Sequence, residues 1–192
     1  MHPRCQPVGP WGRHRNVISE EPLEKPIAYA RLDSQIGPVW VASTPMGLCK
    51  ISLGDKGAGA FLSWLSRHVG PGEPQEAPDV MDVATSQLEE YFSGVRQAFE
   101  LPLDVRGTTF QRAVWSQVAR IPYGATATYG GIAQLVGKPR ASRAVGGAVG
   151  ANPLPIVIPC HRVIGAGGDL TGFGSGLSIK ESLLRLEGVY PL

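Results

Sequence analysis

The run Ile156-Val157-Ile158-Pro159-Cys160-His161-Arg162-Val163 stops abruptly at a cysteine followed by an imidazole and a guanidinium. A thiol with those neighbours is a candidate nucleophile, because the two basic groups can hold it as thiolate, the form that attacks electrophiles. Taken alone, a cysteine beside apolar residues is more often a small core residue. The flanks change that weighing. Asn152-Pro153 lies upstream, and Gly165-Ala166-Gly167-Gly168 and Gly172-Phe173-Gly174-Ser175-Gly176 lie downstream. The cysteine therefore sits among tight turns, where backbone amides can approach a ligand.

The stretch from Tyr129 through Pro159-Cys160-His161-Arg162-Val163 to Glu187 closely resembles the O6-alkylguanine-DNA alkyltransferases, also called methylated-DNA-protein-cysteine methyltransferases. The resemblance spans about Phe110 to Glu187, and more loosely the chain from Ile27. It implies that Cys160 accepts the alkyl group, that His161 is its base acting through water, that Glu187 orients the imidazole and that Asn152 braces the turn. It gives the Tyr129 hydroxyl the task of meeting charge on the departing guanine. It further implies a base pocket of Tyr129, Val163, Phe173, Gly174, Ser175 and Lys180. In that pocket the carbonyls of Cys160 and Val163 accept from the exocyclic amine and the Gly174 amide approaches O6. The substrates implied are O6 of guanine and O4 of thymine in double-stranded DNA, repaired once per chain with no cofactor. Two departures bear on the range of alkyl groups: Phe173 stands where many relatives have tyrosine, and Ser175 replaces a common glycine. Thr44 and Cys49 occupy places where some relatives bind zinc, so no metal is carried over.

The elements that must position these groups follow from periodicity. Ile156 to Ile158 are β-branched and read as a short buried strand, ended by Pro159, which leaves Cys160 at a strand edge or turn. Ile27 to Leu32, Val39 to Ala42 and Leu48 to Leu53 read as an antiparallel meander, with turns at Gln35-Ile36-Gly37-Pro38 and Thr44-Pro45-Met46-Gly47. Phe61, Leu62, Trp64, Leu65, His68 and Val69 recur at helical spacing, and so do Val80, Val83, Ala84, Leu88, Tyr91 and Phe92, stopped by Gly94. Gly70 to Pro78 is a polar loop between those helices, and His68 reads as a helix-surface or core-edge residue rather than a ligand. Phe99, Leu101, Leu103 and Val105 alternate as one more strand. Thr108 or Thr109 caps a helix to about Arg120 with Phe110, Val114, Trp115 and Val118 inward. A helix from Thr128 places Ile132, Ala133, Leu135 and Val136 inward, and one from about Ala141 to Ala151 completes a helix-turn-helix.

That last helix is odd, since three glycines at roughly 1 kcal/mol each weaken it. Close packing on a neighbouring helix is one explanation. The other is a slim helix pressed into a minor groove only ~6 Å wide. The resemblance implies the second, with Ala141, Ser142, Gly146, Gly147, Gly150 and Thr128 on the DNA and Arg143 filling the space left by a flipped guanine.

Composition agrees with a soluble, reducing setting: three cysteines are widely spaced, no apolar run nears the ~20 residues of a membrane span, and the first 25 residues lack the apolar centre of a secretory signal. The expected location is the cytoplasm in a bacterium or the nucleus in a eukaryote. Charge is uneven: residues 1–25 sum to +1, 26–105 to −5 and 106–192 to +6. The C-terminal part is thus the one suited to a polyanion. The expected fold is α+β: an irregular arm over 1–26, a small antiparallel-sheet (RNase H-like) domain over 27–105 with a structural role, and a mostly helical DNA-binding and acceptor domain over 106–192, as a monomer. The rivals are a cysteine hydrolase using Cys160 and His161, and a noncatalytic DNA-binding regulator.

Overall fold

The protein is described from a computed structural model, which covers residues 27–54, 57–69 and 73–189. The arm expected over 1–26, with Cys5, lies outside the described residues. Strands β1 (Ala28–Ser34), β2 (Gly37–Thr44) and β3 (Gly47–Leu53) form the expected meander in the order β3-β2-β1, and β1 also pairs with β4 (Gln75–Glu76). The β1–β4 pair is parallel, so the sheet is mixed rather than antiparallel. β4 lies in the stretch expected to be loop. Its exposed Gln75 and Glu76 show no apolar alternation.

Each face of the sheet is covered by one helix. α2 (Pro78–Phe92) packs Met81, Ala84, Leu88 and Tyr91 on the face bearing Ala28, Ala30, Leu32, Val39 and Val41. α1 (Gly57–His68) packs Phe61 and Leu65 on the other, against Ile27, Ala42 and Cys49. Val80 and Val83, read as part of the helical spacing, are exposed, because the buried stripe of α2 runs one residue out of phase with them through Met81. His68 lies on the surface, stacked on Trp64 with ring centroids 4.5 Å apart.

Residues 99–105 do not form the expected strand. Leu103 makes an isolated bridge to Leu48, with Leu48 N–H donating to Pro102 O and Asp104 N–H to Leu48 O. Pro102 has no N–H with which to continue a ladder. The close approach of this segment is what requires glycine at position 47: its φ is +135°, and a Cβ there would lie 2.3 Å from the Pro102 oxygen.

α3 (Thr109–Val118) begins at Thr108 with a reciprocal capping box to Gln111. α4 (Tyr129–Leu135) is capped by the Thr128 hydroxyl, which accepts from Gly131 N–H, and α5 (Ser142–Gly150) follows. Leu135 is exposed, unlike the inward placement expected, while Ile132 and Ala133 are buried. The Trp115 indole donates to Ala148 O at 2.8 Å and ties α5 to α3. α6 (Leu177–Leu186) ends at Glu187. A short parallel pair, β5 (Ala127–Thr128) and β6 (Val163–Ile164), joins the start of α4 to the residues after the cysteine. One apolar core runs from the α2 face of the sheet through α3, α4 and α5 to Cys160. Among the described residues no helix is long and apolar enough to cross a membrane.

Candidate active site

The thiol is presented by a turn. Ile156 has φ +75°, the left-handed region that a β-branched residue rarely adopts, and pairing is limited to one bridge between Pro155 and Ile158. The expected strand over Ile156–Ile158 is therefore absent. Prolines at 153, 155 and 159 remove the donors a strand would use, and an asparagine side chain supplies the bonds instead. Asn152 Nδ2 donates to Ile158 O at 2.8 Å and Leu154 N–H donates to Asn152 Oδ1 at 3.0 Å, with Asn152 buried. The neighbouring Pro153 O accepts from Ile51 N–H of β3 at 2.9 Å, which anchors the turn on the sheet. Cys160 then opens a 3₁₀ turn, Cys160–Arg162.

Glu187 gathers the groups around that turn. His161 Nε2 lies 2.8 Å from Glu187 Oε1, and both side chains are fully buried. Arg162 Nε donates to Glu187 Oε2 at 2.8 Å and Arg162 Nη2 to Oε1 at 2.9 Å, while Arg162 Nη1 donates to Ile121 O. Tyr91 of α2 donates its hydroxyl to Oε1 at 2.7 Å. Burial alone would raise the Glu187 carboxyl, but bonds from His161, Arg162 and Tyr91 outweigh it and bring the pKa down to about 2. An ionised carboxylate only accepts, so His161 carries its proton on Nε2. Burial pushes His161 below its ordinary value, with the Glu187 bond opposing. The ring is then neutral with a lone pair on Nδ1, a buried atom with no protein partner among the described residues.

Arg162 does not hold the thiol as thiolate, contrary to expectation, since its guanidinium is committed to Glu187 and Ile121. Burial pushes the Cys160 thiol up to about 11, with Asn152 and Lys180 among the opposing influences. The resting side chain is the neutral thiol. Burial pushes the Lys180 ammonium down to about 8, against the influence of Cys160. Lys180 Nζ donates to Val163 O at 2.6 Å and Thr171 O at 2.9 Å. The Tyr129 hydroxyl donates to Thr171 O at 2.8 Å, so it starts engaged with the loop before α6.

Cys160 opens on a cavity of about 240 Å³. Phe173, Gly174 and Ser175 line it, while Tyr129, Val163 and Lys180 are not among its lining residues. Its far wall comes from Ser52 of β3 and Ala60, Phe61 and Trp64 of α1. On α5, the helix face bearing Arg143, Gly147 and Gly150 is exposed. A Cβ at Gly147 or Gly150 would meet nothing within 4 Å, so helix packing does not explain those two glycines. Gly146 instead faces the Tyr129 ring. Thr128 is the N-cap of α4, Ala141 the N-cap of α5, and Ser142 opens α5.

Sequence reading missed the parts played by Tyr91, Arg162 and the α1 wall. A signal existed for two of them: a tyrosine on an apolar helix stripe and an arginine inside an apolar run must each find a polar partner when buried.

Two family models match the chain: the ribonuclease-like domain of 6-O-methylguanine DNA methyltransferase over residues 27–105, and its DNA binding domain over residues 109–189. The methylated-DNA–protein-cysteine methyltransferase of Methanosarcina acetivorans is 46% identical over 160 residues, covering 83% of this chain and 97% of that one. The Mycobacterium tuberculosis enzyme of the same name is 42% identical over 163 residues, covering 84% and 92%. A crystal structure of Mycobacterium tuberculosis OGT in complex with DNA superposes with TM-score 0.72 at 41% identity, covering 83% of this chain and 92% of that one. The chain belongs to the methylated-DNA–protein-cysteine methyltransferase family.

Proposed function

We propose that the protein reverses O6-alkylguanine damage in double-stranded DNA by moving the alkyl group to Cys160, once per chain. The buried Cys160-His161-Glu187 constellation carries this reading, because its base has a bare Nδ1 and a fixed Nε2–H. The relatives are methylated-DNA–protein-cysteine methyltransferases, and one solved neighbour is bound to DNA.

In the proposed reaction the thiol proton passes to His161 Nδ1 through a water, and Glu187 stabilises the imidazolium. The sulfur forms a bond to the alkyl carbon as the carbon–O6 bond breaks. The departing base takes up negative charge that the Tyr129 hydroxyl meets by donating, which requires that hydroxyl to leave Thr171 O. O6 is stacked inside a duplex, so the nucleotide must be extruded at a cost of a few kcal/mol. Arg143, exposed at the start of α5, occupies the vacated space, and the open Gly147 and Gly150 let the helix backbone come close to the groove floor. O4 of alkylated thymine presents the same kind of carbon–oxygen bond. A thioether is a poor leaving group, so Cys160 is not regenerated. The protein acts as a monomer in the compartment that holds the DNA: the cytoplasm of a bacterium or the nucleus of a eukaryote.

Incubation with excess O6-methylguanine duplex tests this. At most one methyl group per chain transfers, and mass spectrometry places it on the Cys160 peptide with Cys5 and Cys49 unmodified. Sustained turnover, ester or peptide hydrolysis, or binding without transfer would overturn it.

A further inference from the structure

From the sheet region, a buried phenol reaches the Glu187 carboxylate. Tyr91 is 0% exposed, and its hydroxyl lies 2.7 Å from Glu187 Oε1 and 3.4 Å from His161 Nε2. The phenol ring is fixed by Phe92, Phe99 and Tyr123, at centroid distances of 5.6, 5.7 and 6.3 Å. A ring packed on three sides leaves the hydroxyl little choice of direction.

We propose that Tyr91 is a positioning residue for alkyl transfer: by donating to Glu187 Oε1, it fixes the carboxylate so that His161 keeps its proton on Nε2 and offers Nδ1 to the thiol. The proposal rests on the reading of Cys160 as alkyl acceptor.

Three observations carry it. First, Oε1 accepts from Tyr91 and Arg162 Nη2 as well as from His161, so its charge is shared among three donors and it is a weaker base towards the Nε2 proton. Secondly, burial and the Glu187 charge push the Tyr91 hydroxyl far above its ordinary range, so it keeps its proton and remains a donor. Thirdly, Arg162 grips the carboxylate from one side only, through Nε on Oε2 and Nη2 on Oε1; Tyr91 holds Oε1 from the α2 side. Tyr91 also withdraws part of the Glu187 charge from His161. The groups facing the imidazole are Tyr91 from α2, Glu187 and Lys180 from the α6 segment, and Cys160 and Arg162 from its own turn, with Tyr123 packed on Tyr91 and Arg162. Loss of the Tyr91 hydroxyl leaves both the Arg162 ion pair and the His161 bond to Glu187 in place. Removing its hydroxyl therefore makes His161 more basic. The ring then stays protonated to a higher pH and cannot accept from the thiol.

The test compares the full chain with Tyr91→Phe, and with Phe99→Leu as a control that loosens the same packing without touching the hydroxyl. Transfer from free O6-benzylguanine is followed from pH 5.5 to 9, corrected for folded fraction, and the His161 tautomer is read from ring nitrogen-15 shifts. The expected result for Tyr91→Phe is a rate lowered roughly tenfold at pH 6, by less at pH 8, an acid limb displaced to higher pH, and partial Nδ1 protonation. Phe99→Leu is expected to keep the wild-type limb and tautomer. A Tyr91→Phe chain with both unchanged, however much less stable, overturns the proposal. A wild-type chain that transfers no benzyl group removes the Cys160 reading instead, and the tautomer measurement still decides whether Tyr91 sets the ring.

Discussion

Glu187→Gln is the substitution that asks most of this site. The carboxylate takes bonds from His161, Tyr91, both ends of the Arg162 fork and, at 3.4 Å, Gly124 N–H. An amide of the same shape offers one oxygen and an NH₂ group in place of two acceptors. If the oxygen stays on Arg162 Nε, the NH₂ faces Tyr91, His161 and Arg162 Nη2. A phenol and an imidazole can turn round to accept; a guanidinium cannot. Arg162, 6% exposed, is left as a buried cation without a counter-charge. Breaking one partner of such a pair costs about 3–5 kcal/mol. For a chain of this length that corresponds to a fall in Tm of roughly 6–20 °C.

The same substitution inverts the imidazole. With NH₂ opposite Nε2, His161 accepts there and carries its proton on Nδ1, the nitrogen that should take the thiol proton. A comparable wrong-tautomer change in a hydrolase triad lowers the rate by about 10⁴, and a loss of roughly 10³- to 10⁴-fold is expected here. The assay is transfer from free O6-benzylguanine by folded protein well below its Tm, alongside a melting series in pH. Glu187 is depressed from an ordinary value of 4.5 to about 2, so the stability it confers is full above pH 4.5 and is lost as pH falls towards 2. The wild-type Tm should therefore drop through that window, and the variant's should drop less. A Tm within about 2 °C of wild type, or a rate within about threefold, would refute the reasoning.

Cys160→Ser should abolish transfer and leave affinity for alkylated duplex within a few fold, because a hydroxyl is a far weaker nucleophile at neutral pH; transfer near the wild-type rate sinks the assignment. Arg143→Ala should slow repair in duplex roughly ten- to a hundredfold while sparing free O6-benzylguanine, since only the duplex requires extrusion; equal losses on both contradict the role given to Arg143. Ser175→Gly should raise the benzyl-to-methyl rate ratio roughly tenfold, because Ser175 lines the cavity beside Cys160, and an unchanged ratio removes it from the part that holds the alkyl group.

What the sequence disclosed about this site follows from which physical signals are local. Thr108 and Gln111 announce the start of α3 through a three-residue spacing, and Thr128 announces α4 in the same way. Position 156 misled because β-branched residues report burial, and a buried turn has the same composition as a buried strand; the prolines around it were the contrary signal. Phe99 to Val105 alternates, yet alternation does not reveal that Pro102 can accept from Leu48 but not donate. Val80 and Val83 share a helical period with Leu88 and Tyr91 only loosely, and Met81 took the inward place. Tyr91 and Glu187 meet across 96 residues, a separation to which periodicity is blind.

The resting state of the two described thiols explains why the neighbours, and not acidity, must select the acceptor. Burial pushes Cys160 up to about 11 and Cys49 up to about 12, so both rest as neutral thiols at pH 7. Neither reacts readily with a passing electrophile. Cys49 sits in β3 with its thiol donating to Ala42 O of the neighbouring β2 at 3.3 Å. Cys160 has a cavity before it, a turn pinned by Asn152 behind it and, next in sequence, an imidazole whose Nδ1 has no partner among the described residues. On the proposed mechanism, a thiol that can be used once is better kept protonated until a substrate fills the cavity, with deprotonation left to His161 instead of being settled beforehand by Arg162. In that mechanism the chemistry would be gated by the geometry of Glu187, which accepts from Arg162 on the turn and from Tyr91 on the sheet-covering helix.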